Sequence, residues 1–190
     1  MNWGSKPFTP LAAISETVPI ITVSGLSKRF LLPGWRFGWI LLHDPQGLAT
    51  AAKEAFHIWQ NRFMGPGATM QLALPKILKE VGSDYFDAIV AKLERNARGL
   101  NEAVNAIPGV RCRFPEASMY LLMGIDVAKF GFKDDVEFSA TFYQEEACFL
   151  LPGMCFDIKD HLRIVTAVPY EVCMDMATRL KEFCARHYRD

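Results

Sequence analysis

Two rhythms of hydrophobic and polar positions run along this chain, and the switches between them divide it. Residues 1–17 are irregular and contain Pro7 and Pro10. Pro19 to Ser24 is a short β-branched apolar run, which predicts a buried strand. A loop holding Lys28 and Arg29 follows, then Pro33-Gly34. Proline presets φ and glycine accepts positive φ, so a tight turn is expected there. Trp35 to Leu42 predicts the next strand. Helical spacing then takes over, with Leu48, Ala52, Phe56, Trp59 and Phe63 on one helix. Met64-Gly65-Pro66-Gly67 breaks it, and Met70 to Val81 reads as helical again. The longest predicted helix runs from about Asp84 to Ile107. Its apolar stripe is Phe86, Ile89, Val90, Leu93, Leu100, Val104 and Ile107, and Pro108-Gly109 ends it.

Beyond residue 108 short elements alternate. Val110 to Arg113 and Ser118 to Ile125 read as strands, and Asp134 or Asp135 is placed to cap a helix reaching about Glu146. Phe149 to Leu151 and Leu162 to Val168 read as two further strands, and Val172, Met176, Leu180 and Phe183 mark a closing helix. The pattern is an α+β unit from about residue 108, preceded by a long helix and a β-loop-β unit. The front unit has only two convincing strands. Two strands and two helices cannot cover both faces of a sheet, so this piece reads as incomplete.

Composition narrows the function classes. Of 190 residues, 51% are hydrophobic and 22% charged, a globular balance that argues against disorder. Lys plus Arg equals Asp plus Glu, 21 each, so no net charge draws the chain to nucleic acid or an anionic membrane, and neither is expected as a partner. No uncharged apolar run reaches the ~18 residues that suggest a bilayer span, and MNWGSKPFTP has no apolar stretch of the signal-peptide kind. Five cysteines, an odd number without a C-x-x-C pair, suggest reduced thiols in a cytoplasmic setting. The histidines His43, His57, His161 and His187 show no metal-ligand spacing, so no metal is expected.

Chemistry concentrates in S-G-L-S-K-R-F-L-L-P-G-W-R-F-G-W, Ser24 to Trp39. A lone loop lysine is ordinarily a solvated charge. Here a lysine directly follows an apolar strand, a Pro-Gly comes next, and Arg36 lies eight residues after Lys28 with Gly38 behind it. This segment resembles the cofactor segment of fold-type-I pyridoxal-phosphate-dependent aminotransferases, S-x-S-K-x-x-x-x-P-G-x-R-x-G. The resemblance implies Lys28 as the catalytic residue that carries pyridoxal 5'-phosphate, and Arg36 as the phosphate holder. An amine that attacks an aldehyde must be neutral, and a partly buried site near other cations favours that form. A guanidinium fork matches phosphate oxygens and keeps its charge. The family often has a serine three residues before the lysine. That position is Gly25 here, which leaves Ser24 or Ser27 as candidate phosphate donors.

His161-Leu162-Arg163-Ile164-Val165 holds the second candidate. By the same resemblance Arg163 is the arginine that grips the substrate carboxylate; alone, it reads as a strand-edge residue in a surface ion pair. Strand alternation would put His161 on the face of Arg163, unless His161 lies in a loop, and it receives no role.

The resemblance extends over nearly the whole chain and points to the tyrosine aminotransferase branch with its nicotianamine aminotransferase-like relatives. F-T-P-L at 8–11, V-P-I-I at 18–21, W-I-L-L-H-D at 39–44, R-F-M-G-P at 62–66, P-E-A-S-M-Y at 115–120, L-L-P-G at 150–153, L-R-I-V-T-A-V-P at 162–169 and K-E-F-C-A-R-H at 181–187 carry it. It implies an α/β fold: the C-terminal part of the large cofactor-binding domain (residues 1–83, an incomplete, mostly parallel sheet with helices), a connecting helix (84–107), and a small α+β domain (108–190). It also implies a homodimer, through Gly65 to Gln71, and transamination of an aromatic amino acid with 2-oxoglutarate as acceptor. The family's D-x-x-Y strand, which serves the cofactor ring, falls before Met1, so little activity is expected of this chain alone. The alternatives are a non-catalytic interaction module, an alanine aminotransferase or a C–S lyase.

Overall fold

A computed structural model of the chain describes residues 1–189. Contacts separate it into two compact units: Lys6–Asp87, and Met1–Ser5 together with the chain from Ala88 onward. The boundary falls inside the long helix. Among the described residues no helix is long and apolar enough to cross a membrane.

The first unit opens on strand β1 (Ile20–Gly25), which runs into a four-residue helix α1 (Leu26–Arg29). A 3-10 turn (Pro33–Trp35) leads to strand β2 (Gly38–His43). β1 and β2 pair antiparallel from Ile20↔His43 to Gly25↔Gly38. The resemblance implied part of a mostly parallel sheet; the two strands held here run antiparallel, because the connection between them folds straight back.

Three details correct the sequence reading. Lys28 sits on a turn of helix rather than in an open loop; a helix of four residues is too short to leave a periodic signal. β2 starts at Gly38 rather than Trp35, since Leu31 (φ 55) and Arg36 (φ 50) are left-handed and the chain between them cannot be extended. β1 is half exposed rather than buried, with Ile21 and Val23 open. Asp44 then turns the chain toward α2 (Thr50–Phe63), its carboxylate accepting from the backbone N–H of Leu48 and Ala49 at 2.9 Å each. Helix α3 (Ala68–Glu80) follows, and neither α2 nor α3 contains a buried residue.

Helix α4 (Ser83–Asn105) carries Ala97, Leu100 and Val104 into the core of the second unit, with Leu93 buried one turn earlier, an i, i+3, i+4 stripe that matches the predicted face. Strands β3 (Val110–Cys112), β4 (Tyr120–Ile125), β5 (Leu151–Pro152) and β6 (His161–Val165) form an antiparallel sheet in the order β3-β4-β6-β5. Alternation sends Leu121, Met123, Ile125, Leu162 and Ile164 to the buried face. Helices α5 (Asp135–Glu146) and α6 (Tyr170–His187) complete the unit. Phe183 of α6 lies edge-on to Phe138 and Phe142 of α5, with ring centroids 5.2 Å apart in both pairs. Full burial of each such ring stabilises by roughly 1.5–3 kcal/mol. The buried stripe of α6 is Cys173, Met176, Ala177, Leu180, Phe183 and Cys184. Val172, expected inside, is exposed, because the stripe begins one position later. The α5 cap is settled as Asp134, which accepts from the Glu137 N–H at 2.9 Å, while Glu137 accepts from the Lys133 N–H at 2.7 Å. Residues Met1–Ser5 join this unit through Trp3, whose indole N–H donates to Pro115 O at 2.8 Å.

Candidate active site

Helix α1 is pinned from one side. Leu26 is fully buried and Phe30 nearly so, and the Phe30 ring lies edge-on to Phe86 at 5.3 Å. The Tyr85 hydroxyl donates to Phe30 O at 2.8 Å, and Leu26 N–H donates to Phe37 O at 3.0 Å. With Leu26 and Phe30 turned inward, Lys28 is exposed on the outer side and Ser27 half buried. The expectation of a partly buried amine is therefore not met in this chain: Leu26 and Phe30 take the inner side of the turn and Lys28 is exposed.

Val23, Ser24, Gly25, Ser27, Lys28, Arg29, Arg36, Phe37 and Gly38 line one concavity of about 480 Å³. Four of the residues singled out from the sequence, Ser24, Ser27, Lys28 and Arg36, are thus brought together. The left-handed backbone at Arg36 returns its side chain over the Pro33–Trp35 turn, where Nη1 donates to Pro33 O at 2.9 Å. Arg29 lines the same wall, with its guanidinium carbon 5.0 Å from the Phe86 ring centroid. Three cations and two hydroxyls around one hollow suit an anion such as a phosphate monoester.

Gly25 has its own physical reason. A Cβ there would lie 2.6 Å from Phe37 O and 2.9 Å from Gly38 Cα, both backbone atoms. At this crossing of β1 and β2 a side chain, serine included, does not fit without a shift.

In the second unit Arg163 sits mid-strand in β6, with Leu122 of β4 opposite on one side and Leu151 of β5 on the other. It is half buried. Its guanidinium carbon is 4.5 Å from the Tyr120 ring centroid and 5.0 Å from that of Phe156. Its Nε is buried without a hydrogen-bond partner. An orphaned buried donor costs roughly 1–3 kcal/mol, a cost the fold carries at this guanidinium. The two rings cover the guanidinium, which leaves its edge for a planar carboxylate. Sequence reasoning missed Phe156; its only sign was a place three residues after Pro152-Gly153. His161 is the first residue of β6, and its Nδ1 donates to Lys159 O at 2.7 Å.

Residues 1–180 match the family model for aminotransferase class I and II. The chain belongs to that family. The tyrosine aminotransferase of Caenorhabditis elegans is 36% identical over 98% of this chain and 40% of its own length, and that of Homo sapiens 36% over 99% and 42%. A solved tyrosine aminotransferase from Leishmania infantum superposes with a TM-score of 0.91 at 28% identity, covering all of this chain and 47% of the other. The chain therefore spans about two fifths of the length of the curated relatives it matches. Pyridoxal phosphate is the cofactor of aminotransferases of this family, and the lysine, arginine and hydroxyl set of the first unit fits such a group.

Proposed function

We propose that this chain contributes the lysine and arginine part of an aminotransferase active site, working on an aromatic amino acid with 2-oxoglutarate as the amino acceptor. The observation that carries the reading is the convergence of Lys28, Ser24, Ser27 and Arg36 on one hollow. The similarity to tyrosine aminotransferases supports the aromatic substrate.

Pyridoxal phosphate, when bound, supplies an aldehyde and an electron-withdrawing ring that acidifies the substrate Cα–H. Lys28 would hold it covalently and, once displaced by substrate, act as the base that moves the Cα proton. Arg36 would hold the phosphate, with Ser24 or Ser27 as hydroxyl donors. Arg163 would orient the substrate through its carboxylate.

In this reading residues 1–83 are part of the large domain, 84–107 the connecting helix and 108–190 the small domain. The assembly is a cytoplasmic homodimer. Groups outside this chain complete the cofactor ring site, so the chain alone turns over little.

Borohydride reduction after incubation with pyridoxal phosphate, followed by peptide mapping, tests the core of this. The label should fall on Lys28 and vanish in Lys28→Ala; labelling elsewhere, or none, would overturn it. Brisk conversion of tyrosine and 2-oxoglutarate by the 190-residue chain would refute the shared-site part. Products from alanine or a thioether substrate instead would mark an alanine aminotransferase or a C–S lyase.

A second reading, a non-catalytic module that pairs with a complementary chain, draws on exposed apolar side chains of the first unit, Val23 at 74%, Phe63 at 71% and Leu72 at 82% among them. Size-exclusion chromatography showing a defined, cofactor-free heteromer would favour it.

A further inference from the structure

We infer that Asp135 is a positioning residue for the Arg163 guanidinium, acting through the turn that carries Phe156. The inference rests on the reading of Arg163 as the carboxylate holder.

Two aspartates open α5, and they do different things. Asp134 caps the helix. Asp135 is 1% exposed, and its Oδ2 accepts from the Met154 N–H at 2.9 Å, nineteen residues away. Burying a carboxylate costs several kcal/mol unless it is matched by donors, so a buried aspartate spent on one backbone amide of a short turn marks that turn as one whose place is held firmly.

The turn is the 3-10 segment Gly153–Phe156 between β5 and β6. It closes on itself through Asp157 N–H to Met154 O at 3.2 Å and Ile158 N–H to Gly153 O at 3.1 Å. It also presses against the start of β6: a Cβ on Gly153 would lie 2.2 Å from Ile158 O and 2.9 Å from His161 Cβ. At its last position stands Phe156, with its ring against Arg163. Tyr120 needs no such support, because it belongs to β4, which is paired to β6 along its length. Phe156 is placed by the turn, as its last residue. Asp135 fixes the turn, the turn fixes the ring, and the ring holds the guanidinium plane so that its edge is presented to a carboxylate before one arrives. Orientation prepared in this way lowers the ordering cost of binding.

The test uses the 190-residue chain and two readouts. One is the Arg163 Nε–Hε cross-peak in ¹⁵N NMR, assigned by its loss in Arg163→Gln and displaced by the ring currents of Tyr120 and Phe156. The other is the affinity for 3-phenylpropionate, an aromatic monocarboxylate, by calorimetry. Asp135→Ala should move the cross-peak toward those of solvent-exposed arginines and weaken binding about tenfold. Asp135→Ser, whose side chain suits a helix start but does not reach Met154, should do the same and serves if the alanine variant does not fold. Asp135→Asn keeps an acceptor oxygen and should restore both readouts. Phe156→Leu should reproduce the loss with Asp135 intact.

A folded Asp135→Ala or Asp135→Ser protein with the parent's cross-peak and affinity would overturn the inference, as would a Phe156→Leu protein whose cross-peak stays in place. If Arg163→Gln binds 3-phenylpropionate as tightly as the parent, the carboxylate reading of Arg163 fails, while the cross-peak still decides whether Asp135 orients it.

Discussion

The side-chain amide of Asn96, midway along α4, donates to Thr166 O and to Val168 O, each at 2.8 Å. Asn96 is 5% exposed, on a helix stripe otherwise apolar. It closes the backbone just after β6, where the chain leaves the sheet and no ladder partner remains for those carbonyls. Replacing it with leucine would keep the branched shape and leave two carbonyls unmatched. Asn96→Leu should destabilise the second unit by about 2 kcal/mol or more, read as a lower urea midpoint with unchanged m-value.

Gly25 is the point where the chain departs from the family's serine, and the close approach of Phe37 O gives the departure a measurable consequence. Gly25→Ser should not improve phosphate binding. It should push β1 and β2 apart at a cost of about 1–3 kcal/mol, seen in the thermal unfolding of the first unit.

Arg36 is read as the phosphate clamp, and the unphosphorylated cofactor separates that role from a packing role. Arg36→Ala should weaken pyridoxal phosphate binding by about tenfold to a hundredfold, the scale of a charge-assisted hydrogen bond. Binding of pyridoxal itself should hardly change. Equal losses for both ligands would mean that the side chain only holds up the turn through Pro33.

The cysteines give a pH prediction. Burial pushes the Cys184 thiol up to about 12, from an ordinary value of 9.0. Burial also raises Cys112, partly offset by a hydrogen bond with Asn101, and raises Cys173. The neutral thiol is the form that the fold favours. Its contribution to stability is complete below about pH 9 and is lost as the pH climbs toward 12. Unfolding midpoints should fall over that alkaline window, and Cys184→Ser should change the slope. At pH 8, maleimide should label exposed Cys155 well before Cys112, Cys173 or Cys184.

What could be read from the sequence follows from how local each feature is. Lys28 and Arg36 lie eight residues apart on one strand-turn-strand segment, so their spacing reveals their proximity. The long stripe of α4 is legible for the same reason. Phe156 and Tyr120 meet at Arg163 because the sheet runs β4-β6-β5, a relation between segments far apart in the chain that no local pattern encodes. Asp134 and Asp135 are alike as letters; only the phase of α5 decides which caps and which is buried. The true start of β2 is hidden because Trp35 and Phe37 look extended while Arg36 between them takes a left-handed backbone. The apolar run of β1 records an aptitude for burial, not the identity of what lies against it.

Helices α2 and α3 contain no buried residue, and at 14 and 13 residues they are near the length at which a peptide helix in water is marginal. Their amides therefore make the natural gauge of company. Deuterium should enter these two segments within the first moments of exposure when the chain is alone, and slowly once some surface settles over Trp59, Phe63 and Leu72. The protection acquired there would outline the footprint of that surface, residue by residue, whichever molecule supplies it.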